Sequence, residues 1–153
     1  MRKIPEPVFK QVDIKKWGQT LNNILNECIL ETDTLDISVD DKLGSFSGDE
    51  KLLTQVLINL VKNASHAPQL DEEKKIVVNF APLQGKALSI KVWNNGEEID
   101  NEIIDKIFIP FFTTRENGAG IGLYLSRKII TQHGGTLTVQ SKKGTGTTFT
   151  ISL

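Results

Sequence analysis

Residues 108–125 leave this chain the fewest ways to fold. Three aromatic residues, Phe108, Phe111 and Phe112, precede a polar loop over 113–120, which runs straight into an amphipathic pattern over 121–130. That order predicts an aromatic anchor, a movable segment and a helix whose first turn lies open. The first N–H groups of a helix lack intrahelical partners and carry partial positive charge. Gly118, Gly120 and Gly122 remove the side chains that would keep a phosphate away from them. The stretch reads as a phosphate-binding lid. It is not a P-loop, since no Gly-Lys-Ser/Thr follows, and not a dinucleotide fingerprint, since no strand directly precedes it. Taken alone it is better read as a permissive loop before a helix, so the rest of the chain has to decide.

With 153 residues and 39% hydrophobic content, the chain is expected to be one domain with a real core. Eighteen Lys and Arg against nineteen Asp and Glu give no field that would favour nucleic acid or an acidic membrane. The single cysteine, Cys28, cannot make an internal disulfide, which suits a reducing compartment. No apolar run approaches the roughly 20 residues of a membrane span, and Met1, Arg2 and Lys3 do not begin a secretory signal. The expected location is cytoplasmic, which includes the cytoplasmic part of a membrane-bound sensor.

Residues 1–7, broken by two prolines, read as a linker, and 8–12 as a short strand. Asp13 is a candidate N-cap for a helix over 14–30, where Trp17, Leu21, Ile24, Leu25, Cys28 and Ile29 recur at helical spacing, although Gly18 weakens the pattern. Residues 34–39 alternate as a strand, and 44–47 form a second short strand or turn. Asp49 caps a helix over 50–67 whose buried stripe is Leu53, Val56, Leu57, Leu60, Val61 and Ala64. Residues 76–80 and 87–92 pair around a turn at Gln84 and Gly85. Asp100 starts a short helix over 103–107. After the lid comes an inward-facing helix with Leu123, Tyr124, Leu125, Ile129 and Ile130, closed by Gly134, with His133 structural. Residues 136–140 and 147–153 finish as a hairpin.

Asparagine is a poor helix former, so Asn59 and Asn63, four apart in mid-helix, ask for a reason. On a wheel of about 100° per residue they fall with His66 on one line beside the buried stripe. A solvated edge explains that line as well as carbonyl oxygens offered to a hard cation and its phosphates. Asn94 and Gly96, at the end of a buried strand, suit recognition of a purine edge, and suit an ordinary Asn-Gly turn equally.

The motifs in order are NLVKNA (59–64), WNNGEEI (93–99), IFIPFFTT (107–114), GAGIGL (118–123) and GTGTTFTI (144–151). Together they resemble the N box, first glycine box, F box, second glycine box and final glycine box of the ATP-binding catalytic domain of sensor histidine kinases. That family lies within the superfamily that holds gyrase, chaperone and mismatch-repair ATPases. The resemblance covers nearly the whole chain. It implies an α/β (α+β) two-layer sandwich of the Bergerat type, a mixed β-sheet with helices on one face. Residues 8–153 would be the catalytic domain, and 1–7 the linker from an upstream helical acceptor domain.

The resemblance further implies ATP and Mg2+ as cofactors, with Asn59 and Asn63 serving phosphates and metal and Asn63 the direct metal ligand. Lys62 and His66 would flank the phosphates, and Arg115 would meet the terminal phosphate, making Asn59, Asn63 and Arg115 the catalytic set. Asn94 and Gly96 would hold the base. Phe112, Thr113, Thr114, Gly118, Gly120, Ile121, Gly122, Leu123 and Thr147 complete the nucleotide contacts, with backbone N–H groups over 120–123 cradling the phosphates. The implied partners are an upstream dimerisation and histidine phosphoacceptor domain and, indirectly, a response regulator receiver domain. Nucleic acid is not expected as a partner, and the domain alone is expected to be a monomer.

Two positions depart from the family. Its base-reading aspartate is here Asn94, whose amide oxygen can still accept from the adenine amino group but whose amide can also turn to donate. A glycine of the same box is Glu98, which could crowd the base. Neither His66 nor His133 is expected to be the phosphoacceptor. Other readings of the same resemblance are an anti-sigma-type protein-serine kinase, a gyrase- or chaperone-type ATPase, and a nucleotide-binding module without activity. The ATPase reading lacks its water-activating glutamate, because that position is Asn59.

Overall fold

Strands form where apolar residues alternate with polar ones, and helices where they recur every three to four positions. The computed structural model describes residues 4–68, 73–112 and 122–153. Along the chain run β1 (Lys10–Asp13), α1 (Ile14–Asn26), β2 (Thr34–Val39), β3 (Ser45–Gly48), α2 (Glu50–His66), β4 (Lys75–Ala81) and β5 (Ser89–Asn94). A 3-10 turn (Ile104–Lys106), α3 (Gly122–Gln132), β6 (Thr136–Lys142) and β7 (Gly146–Ser152) follow.

Five strands make one mixed sheet in the order β2-β4-β5-β7-β6, with β2 parallel to β4 and every other pair antiparallel. The remaining two, β1 and β3, pair with each other. Ile76, Val78 and Phe80 of β4, Ile90 and Val92 of β5, and Phe149 and Ile151 of β7 point into the core, while Asn79 and Lys91 between them are exposed. Helix α1 lies over β2, α2 over β5 and α3 over β6. This is the expected two-layer sandwich. Trp17 fills its centre, edge-on to Phe80 at 5.4 Å, with its indole N–H donating to Thr54 Oγ1 at 2.9 Å. Gly18, which lowers helix propensity, lets α1 come close to β2. A Cβ there would lie 2.8 Å from Val39 Cγ2.

Boundaries moved where tertiary bonds outweighed local pattern. The first strand starts at Lys10 rather than Val8, because the Val8 N–H donates to Asp49 Oδ2 at 2.8 Å. Helix α1 stops at Asn26 rather than Leu30. Buried Asp33 takes the Leu30 N–H at 3.1 Å and the Ser65 hydroxyl at 2.7 Å, and so turns the chain into β2. Residues 103–107 shorten to a single 3-10 turn. Helix α2 ends at His66, one residue before its expected end, with Ala67 as its C-cap and with Asp49 Oδ1 accepting from the Leu52 N–H. At its other end Lys74, 2% exposed, donates to the carbonyls of Ala64, Ser65 and Ala67 and so satisfies groups the helix leaves open.

Candidate functional site

Three inward rows of the sheet are apolar for most of their length and turn polar at the same end. Ile90 and Val92 are followed on β5 by Asn94, Ile151 and Phe149 are preceded on β7 by Thr147, and Leu137 and Val139 are followed on β6 by Ser141. Strand register places Asn94 beside Thr147 and Thr147 beside Ser141. Buried polar groups carry a desolvation cost unless bonded, and most of these are. The Ser141 and Thr147 hydroxyls lie 2.7 Å apart, and Ser141 Oγ accepts from the Ile99 N–H at 2.8 Å. Asn94, 3% exposed, accepts from the Gly96 N–H through Oδ1 at 2.8 Å. The oxygen expected to face the base thus accepts one bond from the turn and keeps a second lone pair. The adjacent Asn95 points the other way and is structural, bridging the Lys75 N–H and the Glu73 carbonyl.

Gly96 sits where the end of α2 meets the end of β5. A Cβ on it would lie 3.1 Å from Ala67 Cβ and 3.0 Å from the Pro68 carbonyl, and the Glu97 N–H donates to that same carbonyl. Gly146 is held as tightly. Its φ is +85°, and a Cβ would run into the Asn94 carbonyl. Glu98 is exposed, and the bond from Ile99 to Ser141 holds the backbone beside it.

On α2, Asn59 and Asn63 are half-buried, while Lys62 and His66 are exposed. The predicted polar line is thus a graded edge of the helix. Asn59 Nδ2 donates to Ser126 Oγ of α3 at 2.9 Å, and a Cβ on Gly122 would lie 2.5 Å from the Asn59 amide. The first turn of α3 therefore rests on the carboxamide, with Leu123 half-buried beside it. Sequence reasoning missed Ser126 and Ser141. The only signal for Ser126 was a hydroxyl on the same helical stripe as Ile129 and Ile130.

The expected aromatic anchor reduces to one residue. Phe108 packs edge-on against Phe149 at 6.3 Å and lies under the Arg127 guanidinium, 3.6 Å from its ring centroid. Arg127 also donates to the Leu137 carbonyl. Phe112 is half-buried, but Phe111 is 66% exposed with φ +66°, so it is no part of the anchor. Thr113, Thr114, Arg115, Gly118, Gly120 and Ile121 lie outside the described residues.

At the opposite end of the helix pair, His133 is structural as expected, through a bond of its own. Its Nδ1 donates to the Ile129 carbonyl at 2.8 Å, and Nε2 accepts the Asp49 N–H at 3.0 Å, which requires the neutral ring. Gly134, with φ +76°, closes α3. Burial alone would raise the Asp49 pKa, but hydrogen bonds from the Val8 and Leu52 N–H groups bring it below the ordinary carboxylate value.

Residues 48–153 match the family described as histidine kinase-, DNA gyrase B-, and HSP90-like ATPase. The chain belongs to this family. Its relatives include the signal transduction histidine-protein kinase AtoS of Escherichia coli K12, 35% identical over 95% of the chain. The sensor histidine kinase ZraS of the same organism is 40% identical over 78% of the chain. The chain spans 25% of the length of each. The solved catalytic domain of histidine kinase ThkA is similar over 95% of both chains, with 31% identity and a TM-score of 0.82. ThkA in complex with response regulator protein TrrA is similar over 96% of this chain and 42% of that one, with 30% identity and a TM-score of 0.78.

For a histidine kinase-like ATPase domain, the residues present fit a magnesium nucleotide. A purine needs apolar surroundings with a few polar groups, and the inward rows ending at Asn94 and Thr147 have that composition. Magnesium bound to a triphosphate takes only one or two protein oxygens. The carboxamides of α2 offer them, and no cluster of three or more His, Cys, Asp or Glu competes among the described residues.

Proposed function

We propose that the chain is the catalytic domain of a two-component sensor histidine kinase. In this reading it binds ATP with magnesium and presents the γ-phosphoryl group to a histidine on a separate dimerisation domain. The observation that carries the reading is the meeting, at one end of the sheet, of the polar row ends, the carboxamide edge of α2 and the first turn of α3 on Asn59.

Asn63 would hold the metal, and Asn59 would orient the phosphates. Lys62 and His66 stand at the exposed edge, where they would meet phosphate charge. Asn94, Gly96 and Thr147 would hold the base, and Phe112, Gly122 and Leu123 the phosphate end. Arg115 would offset charge at the terminal phosphate. Thr113, Thr114, Gly118, Gly120 and Ile121 would close over it. Bound magnesium would neutralise charge on the phosphates.

In the reaction a nitrogen of the acceptor imidazole bonds to the γ-phosphorus as the bond to the β,γ-bridging oxygen breaks. ADP leaves, and the imidazole proton passes to solvent. Asn59 cannot take a proton and already donates to Ser126, so it activates no water. Transfer to an acceptor is thereby favoured over hydrolysis. ThkA is known in complex with a response regulator, which supports a receiver domain as the next acceptor. No helix among the described residues is long and apolar enough to cross a membrane, in keeping with a domain that works in the cytoplasm.

Calorimetry should give micromolar to millimolar affinity for Mg-ATP, weakened by about tenfold or more in Asn63→Ala. With labelled ATP and a purified acceptor domain, the label should appear on the acceptor histidine as an acid-labile adduct. If no purine triphosphate binds, the reading fails.

A further inference from the structure

We infer that Lys74 is a positioning residue: its ammonium sets the end of α2, and with it the carboxamide of Asn63, in a fixed relation to the turn over 94–97. The inference rests on the nucleotide-site reading above and concerns the spacing of that site's two halves. Lys74 directly precedes β4 and is 2% exposed. Its Nζ donates to the carbonyls of Ala64 at 3.2 Å, Ser65 at 3.4 Å and Ala67. A charge taken out of water needs such bonds in its place. The vacancy it fills is written in the sequence, because Pro68, directly after the C-cap, has no N–H to offer the last carbonyls of α2. The cation also meets the negative end of the helix dipole.

The backbone on both sides of Lys74 is bonded to the turn that ends β5. Asn95 Oδ1 accepts the Lys75 N–H at 2.7 Å, Asn95 Nδ2 donates to the Glu73 carbonyl at 2.9 Å, and the Asn95 N–H donates to the Lys75 carbonyl at 3.2 Å. The Pro68 carbonyl, one residue beyond the last that Lys74 holds, accepts the Glu97 N–H at 2.8 Å. Three segments thus close a ring. Asn95 joins the turn to 73–75, Lys74 joins 73–75 to the end of α2, and the bond from Glu97 to Pro68 joins α2 back to the turn. Asn63 lies one helical turn before Ala67, while Asn94 and Gly96 belong to the turn itself. A nucleotide that spans the carboxamide edge and the end of β5 needs both at their proper separation. A slack ring therefore loses affinity although no group that touches the ligand has been removed.

Calorimetry of Mg-ATP binding to wild type, Lys74→Ala, Asn95→Ala and the double variant tests this, with urea unfolding of each in parallel. Lys74→Ala should bind about tenfold more weakly. Propylammonium, which replaces the atoms removed, should return the affinity to within about twofold of wild type, whereas tetramethylammonium, with the same charge and no N–H, should not. Asn95→Ala leaves the lysine in place and should cost about fivefold, and the double variant should lose little more than Lys74→Ala, because both cut the same ring. A Lys74→Ala that lowers the urea midpoint but keeps the wild-type affinity overturns the inference, as does an affinity that the two cations affect alike. If Lys74→Ala does not fold with or without the amine, Asn95→Ala decides, and an affinity within about twofold of wild type overturns the inference. All of these results leave the nucleotide-site reading standing. Failure of wild type to bind any purine triphosphate overturns the two together.

Discussion

Asn59 illustrates how one side chain can be legible while its setting is not. Its spacing from Asn63 on a helix was enough to place both on one edge, because that geometry is local. Its partner Ser126 is 67 residues away, and only the packing of α3 on α2 brings the two together. Removing that hydroxyl tests whether Ser126 positions the carboxamide. Ser126→Ala should cost about 1 kcal/mol of stability and lower kcat for phosphotransfer by about tenfold, with the nucleotide KM within about twofold. Equal loss in KM would mean that Ser126 serves binding rather than orientation. Asn94 carries the complementary lesson. Its position was readable, but the direction of its amide depends on the backbone N–H two residues on.

Elements were mostly legible, because alternation and helical spacing are short-range signals that the core then enforces. Misreadings fell at the ends, where a distant carboxylate or carbonyl competed for an N–H group. Asp49 stands at such an end, capping α2 while also holding the Val8 N–H. Replacing it with alanine should destabilise the domain by about 1–2 kcal/mol near neutrality. Because its folded pKa is depressed, its contribution is complete above the unfolded value of about 3.9 and is lost as the pH falls through the folded value. Urea unfolding of wild type and Asp49→Ala should therefore differ by a constant amount at higher pH and converge below about pH 4. A difference that persists in acid would assign the loss to something other than the carboxylate. Lys74 escaped notice altogether, because a lysine buried against helix carbonyls has no signature in the sequence.

For the whole molecule, the fold class was legible because the motifs fall in one order along nearly all of the chain. Ligand binding should register globally. Magnesium nucleotide at about a hundred times its Kd should add about 2.7 kcal/mol and raise the melting temperature by about 5–10 °C, with the shift much reduced in Asn63→Ala. A thermal scan that does not move with the nucleotide would disconnect the site from the fold. The chain also arrives in the body by an unusual fastening. Val8 is bound to the N-cap of α2, the ring of Phe9 rests on His133, and His133 is bonded to that same cap. About 15 Å of helix separates this knot from Asn59. A twist applied to the incoming strand must either tear the knot or swing both helices as one rod, so the bridle and the bit are a single piece.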